Sequence, residues 1–374
     1  MAANTLVNKK NDNTCKWPPF NPFVRHPTSA RAKLRMLFFG PLLVPIRLTG
    51  ALTTLTCGLL WSYICSWGCD TSRPYSPLRR WLLLGGIGVL SRVLLFFYGF
   101  VWITESFEIQ DPKERAAQQK ASILVTNHLG FAELLYLIVS YHCCFVSKEG
   151  NRALPFIGTV AEVMQSIFVD RGDSNNTNAT TNNNTKVEST TAKLLARARA
   201  PPGTWPPLCV CPEGTTHTGH VLLKFATGAF RPGLPVQPIC VSMPFDPDTG
   251  YDPSFSCCKS IVLHVLGLMA QPWNHMHVHH LALYVPKENE RSDPVVYANH
   301  VREKMVIASQ EYNKNKVQAC DLTWYEKLPH EPNPKAQALG RRKLTERNGG
   351  VLPPSPVFTT DAFGNPLYNK EKDQ

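Results

Sequence analysis

By its apolar and polar positions, the chain falls into four stretches. A polar, basic lead (Lys9, Lys10, Lys16, Arg25, Arg31, Lys33, Arg35; residues 1–35) gives way at Met36 to an apolar run that reaches Cys69 with only Arg47 inside it. Its last 22 residues, from Leu48, carry no charge. A linker with Arg73, Arg79 and Arg80 leads into a second run, Trp81–Thr104, broken only by Arg92. About twenty apolar residues span a bilayer, so the pair predicts a membrane-embedded helical hairpin over 36–110. The first run starts too deep and is too long for a cleaved leader. Basic residues flank both ends and also fill the turn, which conflicts with two full spans. A hairpin in one leaflet, each arginine snorkelling to the headgroups, removes the conflict.

From Ser122 onward short β-rich runs alternate with helical ones. Strands are predicted at Ser122–Thr126, Cys143–Ser147, Ile167–Asp170, Leu208–Cys211, Val236–Val241 and His277–Val285. Helices are predicted from about Phe131, near Leu154–Met164, Thr190–Arg199 and Leu222–Ala229, and over Pro294–Tyr312 with its leading proline. Such alternation predicts an α/β domain over 111–327, a largely parallel sheet flanked by helices. Ligands of such sheets sit at the C-terminal ends of strands. Residues 173–188 hold an Asn/Thr-rich insert with too few apolar residues for a core. Its three sequons, at Asn175, Asn178 and Asn183, are read as products of composition rather than as glycosylation sites. The Pro-rich remainder, 328–374, is expected to be a flexible tail.

Composition narrows the class. Apolar residues make up 43% of the 374, which excludes a disordered chain. Twelve cysteines are too dilute for a disulfide scaffold. The net charge of +11 leaves nucleic acid or an anionic membrane as partner. Its distribution decides: residues 1–110 hold +8 of it and 111–327 only +1. A nucleic-acid reader would concentrate charge on its folded domain, so the partner is membrane lipid and not nucleic acid.

Three polar groups follow predicted strands. Asn127-His128 is trailed by Glu133, a base and a carboxylate able to fix its tautomer. Residues five apart lie about 140° apart on a helix, so His128 must occupy the turn before it, which Gly130 permits. Phe168-Val169-Asp170-Arg171 ends a strand in a natural phosphate ligand. Pro212-Glu213-Gly214-Thr215 puts a carboxylate and a hydroxyl on a tight turn.

In this order, and with Pro235-Val236-Gln237-Pro238 as a fourth block, these motifs resemble the glycerolipid (acylglycerol-phosphate) acyltransferases. Gly228-Ala229-Phe230, Tyr297–Arg302 and Leu43–Arg47 resemble their lysophosphatidylcholine and lysophosphatidylethanolamine branch, over about residues 20–310. The resemblance implies transfer of a fatty acyl group from acyl-CoA to the free hydroxyl of a lysophospholipid. His128 would be general base, with Glu133 orienting it. Asn127, Phe168, Arg171, Glu213, Gly214 and Thr215 would hold the phosphate-bearing acceptor. Pro235, Pro238 and Lys224 would serve the acyl-CoA or membrane side. Thiolate leaves readily, so no cofactor, metal or covalent nucleophile is called for, and acyl-CoA is a co-substrate. Two departures stand out. The family's acid after the histidine is ordinarily aspartate, and a lysine usual two residues before Gly-Ala-Phe is Ala226 here, Lys224 being the nearest. Acylation of lysophosphatidic acid or glycerol 3-phosphate is the runner-up, and a catalytically inactive lipid-binding relative is a further alternative. A hydrolase is disfavoured because no Ser or Cys sits in an elbow motif.

The remaining clusters add little. His275, His277 and His279 share a strand face without a partnering carboxylate, and a metal is not expected there. Paired cysteines at 143–144 and 257–258 lack zinc spacing. No EF-hand pattern occurs, so calcium regulation is not expected. Lys370 and Lys372 match a KxKxx retrieval signal, which predicts an endoplasmic reticulum membrane protein whose catalytic domain faces the cytosol.

Overall fold

The computed structural model describes residues 21–118, 121–169, 190–245, 250–258, 260–313, 317–327, 333–347, 358–360 and 366–368. The sequons, Arg171 and the KxKxx pair lie outside these. Two long helices lead, α1 (Ala30–Ser66) and α2 (Pro77–Phe97). Strand β1 (Ile103–Phe107) follows, then α3 (Pro112–Gln118), β2 (Ile123–Thr126), α4 (Ala132–Tyr141), β3 (Cys144–Lys148), α5 (Ile157–Val163) and β4 (Ile167–Val169). After α6 (Thr190–Arg199) come β5 (Leu208–Val210), β6 (Val221–Leu222), β7 (Val236–Ser242), α7 (Ile261–Ala270) and β8 (Met276–His280). The last elements used here are α8 (Glu288–Ser292), α9 (Pro294–Asn313), β9 (Gln318–Ala319), α10 (Trp324–Lys327) and α11 (Pro334–Arg347).

Seven strands form one sheet in the order β1-β8-β7-β2-β5-β3-β4, every pair parallel except β7 with β8. The central strands are buried on both faces, as parallel strands covered by helices are. Alternation still sorts their side chains. Ile123 and Val125 join Leu208, Val210 and Tyr297 of α9 in one layer, whereas Leu124, Cys209 and Ile239 join Tyr136 and Leu137 of α4 in the other. Helix α4 thus lies on the layer beneath the hairpin, and its N-terminus is delivered to the end of β2.

The hairpin is patterned inside out. The buried face of α1 carries Ala51, Thr54, Gly58 and Ser62, while Leu37, Phe38, Leu42, Ile64 and Trp67 point outward and exposed. Small residues let two helices approach. A Cβ on Gly50 would overlap the Phe97 ring, and one on Gly86 the Trp61 indole. Thr54 and Ser62 return their hydroxyls to the carbonyls of Gly50 (2.7 Å) and Gly58 (2.8 Å), so these two polar groups of the seam are paired within their own helix. Both helices are apolar and long enough to cross a membrane.

Several expectations change. Arg47 and Arg92 do not snorkel. Arg47 is buried and caps α7, donating to the carbonyls of Met269 (2.8 Å), Gln271 and Pro272 (2.8 Å). Arg92 donates to Phe100 and Val101 (3.3 and 2.6 Å), closing the exit from α2. The hairpin gives way to the sheet before 110, because β1 pairs in register with β8. Within the polar lead, Phe23 is buried with Val221, Leu223 and Leu322. The helical patch at 222–229 is the short strand β6 and a single 3₁₀ turn, since the amides of Leu223, Lys224 and Ala226 donate to Glu213, Leu322 and Pro212 rather than along a helix. The strand 277–285 stops at His280, with one isolated bridge at Tyr284. The tail contains α11.

Candidate active site

The site starts from the end of β2. Asn127 is buried and clasps β7 with both ends of its amide: Nδ2 donates to Val241 O and Oδ1 accepts from Val241 N, each at 2.8 Å. That clasp fixes where β2 ends and places His128 in the turn beyond it. Gly130 completes the turn because Phe255 packs against it, and a Cβ there would stand 3.0 Å from Phe255 Cβ.

Glu133 sits in the first turn of α4, where the helix dipole favours an anion. It is fully buried and reaches back over the turn. Its Oε1 takes three donors: His128 Nδ1 at 2.8 Å, Leu129 N at 2.9 Å and Gly130 N at 2.7 Å. The glutamate therefore spans the distance to the histidine. Its Oε2 has no hydrogen-bond partner among the described residues. A carboxylate on Nδ1 assigns the proton of the neutral ring to that nitrogen and leaves Nε2 as the basic atom. The His128 side chain is 22% exposed, against 0% for Glu133.

Burial opposes the charged form of His128, but Cys211, the Glu133 hydrogen bond and the charges of Glu133 and Glu213 outweigh it and raise its pKa above the ordinary value. Cys211 is itself pushed well above the thiol range by its hydrogen bond with Cys209 and by burial. The direction of the His128 shift suits a group that must take up a proton.

Glu213 lies under the site rather than in it. Its side chain is fully buried, with Oε1 accepting from His128 N (2.9 Å) and Oε2 from Leu223 N (2.8 Å). Both oxygens accept from backbone amides, which ties the turn bearing His128 to the chain at Leu223. Its neighbour His217, which sequence reasoning missed, is buried with Nε2 2.7 Å from Glu213 Oε2. The pair is close but poorly aligned along the ring N–H, and we treat it as an electrostatic contact. Gly219 N donates to His217 Nδ1 (3.0 Å), placing the ring proton on Nε2, and His217 N donates to His128 O (3.1 Å). The available signal was the histidine four residues after the glutamate, in Glu213-Gly214-Thr215-Thr216-His217.

Other predicted residues are dispersed. Gly214 turns the chain with φ +71°, and it and Thr215 are half-buried beside Glu213. Lys224 is exposed, one residue past the Leu223 tie. Phe168 is on β4, three strand spacings or roughly 14 Å from β2, and its ring lies beneath the Arg152 guanidinium at 4.2 Å. Pro235 precedes the start of β7, and Val236 pairs with Ile123, so it stands at the opposite end of the sheet from His128. Pro238 is buried inside β7 against Val125. Neither proline lines the site. His279 bonds Ser106 (2.8 Å) and stacks on Tyr312, while His280 lies between the hydroxyls of Tyr136 and Tyr141. These histidines are engaged with hydroxyl and aromatic neighbours, and among the described residues no group of three metal-ligating side chains is assembled.

Residues 108–242 match the model of the family described as Acyltransferase. Lysophospholipid acyltransferase LPEAT1 of Arabidopsis thaliana is 31% identical over 245 residues, 61% of this chain and 59% of that protein. Human lysophospholipid acyltransferase LPCAT4 is 31% identical over 298 residues, 77% of this chain and 52% of its own. Lysophosphatidylcholine acyltransferase 2B of Rattus norvegicus is 27% identical, over 79% of this chain and 54% of its own. The chain thus spans little more than half the length of these relatives. Among solved structures, that of the 1-acyl-sn-glycerophosphate (LPA) acyltransferase PlsC from Thermotoga maritima aligns over 75% of this chain and 98% of its own, at 14% identity and a TM-score of 0.48. Residues 108–242, which contain His128, Glu133 and Glu213, are thus an acyltransferase-family domain.

Proposed function

We propose that the protein is an acyl-CoA-dependent lysophospholipid acyltransferase. The observation that carries the reading is the His128–Glu133 pair, a partly exposed imidazole held by a buried carboxylate at the C-terminal end of a central strand. His128 Nε2 takes the proton of the acceptor hydroxyl as its oxygen attacks the thioester carbonyl. The oxyanion collapses, the C–S bond breaks, and the proton returns to the CoA thiolate. Thiolate leaves well, so a positioned base and acceptor suffice and no cofactor is required. The lysophospholipid acceptor is supported by the relatives' activities, and a membrane location by the exposed apolar hairpin. Placement in the endoplasmic reticulum with the domain facing the cytosol completes the proposal.

The test is His128→Ala in detergent micelles with labelled acyl-CoA and a panel of lyso-choline, lyso-ethanolamine, lysophosphatidic acid and glycerol 3-phosphate acceptors. Transfer should fall by about 10²–10⁴-fold with expression and melting temperature unchanged. Retained turnover would sink the assignment, and the preferred acceptor in the panel identifies the headgroup.

A further inference from the structure

A second cavity, of about 610 Å³, lies where the first turn of α2 meets the underside of the sheet. Ser122 and Leu208, at the starts of β2 and β5, form part of its wall. His128 follows the far end of β2, roughly 20 Å along the strand direction, so this is not the catalytic cleft. Its volume is that of a small-molecule site.

The lining is largely apolar and rich in proline. Arg80 and Arg197 are its charged groups, beside Trp81 and Trp205, and no aspartate or glutamate lines it among the described residues. Arg80 spends one nitrogen on Thr204 O (2.5 Å). Arg197 donates to Gln165 O and stacks over Trp205 at 4.4 Å. Each guanidinium has five N–H donors, and neither arginine has a carboxylate partner among the described residues. Half-buried charge without a counter-ion is costly, and a guanidinium is the usual fork for phosphate oxygens. His142 is set in the wall by a left-handed turn (φ 49°) that ends α4. The mouth adjoins the outward apolar face of the hairpin, where Leu78 and Trp81 are 68% and 71% exposed. Exposed tryptophan beside arginine is the composition of a membrane–water interface.

We propose that this cavity binds the phosphorylated headgroup of a membrane lipid, Arg80 and Arg197 holding the phosphate while the acyl chains run along Trp81 and the outer face of α2. The inference rests on the hairpin lying in lipid and not on the role of His128. The chemistry would suit a lipid phosphate monoester or diester, and a free phosphate anion is the competing source.

The experiment uses the full chain in lipid nanodiscs with a phosphatidic acid carrying a photoactivatable diazirine on one acyl chain. Adducts should map to peptides 77–84 and 197–208, and those on 197–208 should fall about ten-fold in Arg80→Gln/Arg197→Gln, the loss of charge-assisted bonds. Adducts near His128 and acyl transfer should persist in that variant, separating this site from the catalytic one. A diacylglycerol bearing the same diazirine, used on the unaltered chain, should label 77–84 as any bilayer lipid does and leave 197–208 unlabelled. Equal labelling of 197–208 by the diacylglycerol, no labelling of it by the phosphatidic acid, or labelling there indifferent to both arginines would overturn the proposal. Suppression of that labelling by inorganic phosphate present during irradiation would reassign the site to free phosphate and overturn the lipid.

Discussion

His128 Nδ1 sits 2.8 Å from Glu133 Oε1, and His217 Nε2 sits 2.7 Å from Glu213 Oε2. Each sets an imidazole against a buried carboxylate, but they differ in geometry and in access. Glu133 bonds Nδ1 and leaves Nε2 open, whereas His217 meets Glu213 through Nε2 and its Nδ1 is taken by Gly219 N. The His128 side chain is 22% exposed, whereas His217 is sealed. The pairs are also wired together, because Glu213 holds the backbone N–H of His128 and His217 N–H holds its carbonyl. The sealed pair is a bracket, and the open pair is the one that can meet a substrate. A histidine beside a carboxylate is therefore weak evidence of catalysis until the free ring nitrogen is shown a way out.

Swapping the lesion between the two pairs breaks or sustains this comparison most directly. His217→Ala should cost about 2–4 kcal/mol of stability, through the lost buried ring and a Glu213 carboxylate left without its neighbour. The fraction that folds should keep its chemical step within about ten-fold. Thermal melting with single-turnover rates on the folded fraction measures both. A stable His217→Ala protein that has lost turnover would mean the sealed pair is the working one.

Glu133→Gln comes next, with an expected fall of about 10²-fold, since the amide keeps the shape but cannot stabilise the imidazolium. The pH profile sharpens the same point. The base must be neutral to act, so kcat/KM rises with pH through the His128 pKa, and its acidic limb should lie above 6.5 because Cys211, Glu133 and Glu213 raise that pKa against burial. Losing the Glu133 carboxylate removes one of those charges, so the limb in Glu133→Gln should move to lower pH as the plateau drops. A limb that stays put would show that another group titrates.

How far the sequence carried this picture depended on the range of each interaction. The His128–Glu133 pair was legible because the two lie on one turn, with Gly130 marking it. The inside-out hairpin was legible as two apolar runs. What local pattern could not give was the far partner. Arg47 reads as a snorkelling residue until α7, more than two hundred residues later, presents Met269 and Pro272 carbonyls to it. Glu213 reads as a substrate contact until the backbone of His128, 85 residues before it, takes up one oxygen. Pro238 sits in a motif, yet strand order puts it inside the sheet.

The smallest expected effect concerns the length of the acid itself. Glu133 Oε1 reaches three donors at once, His128 Nδ1, Leu129 N and Gly130 N, all within 2.9 Å. This single-oxygen clasp uses the full glutamate side chain, because the helix turn bearing it starts after the residues it must hold. Aspartate is about 1.5 Å shorter and from the same backbone cannot keep all three. The two amides lie close to the first turn of α4, so the histidine bond is the one that should lengthen. Glu133→Asp is therefore expected to lower the rate about three- to ten-fold with the acidic limb displaced slightly downward, as His128 loses part of its anchoring charge. Rates for the two carboxylates across pH 6–9 decide it. A faster aspartate enzyme would mean that the turn relaxes around the shorter acid, and that the glutamate compromises this site rather than fitting it.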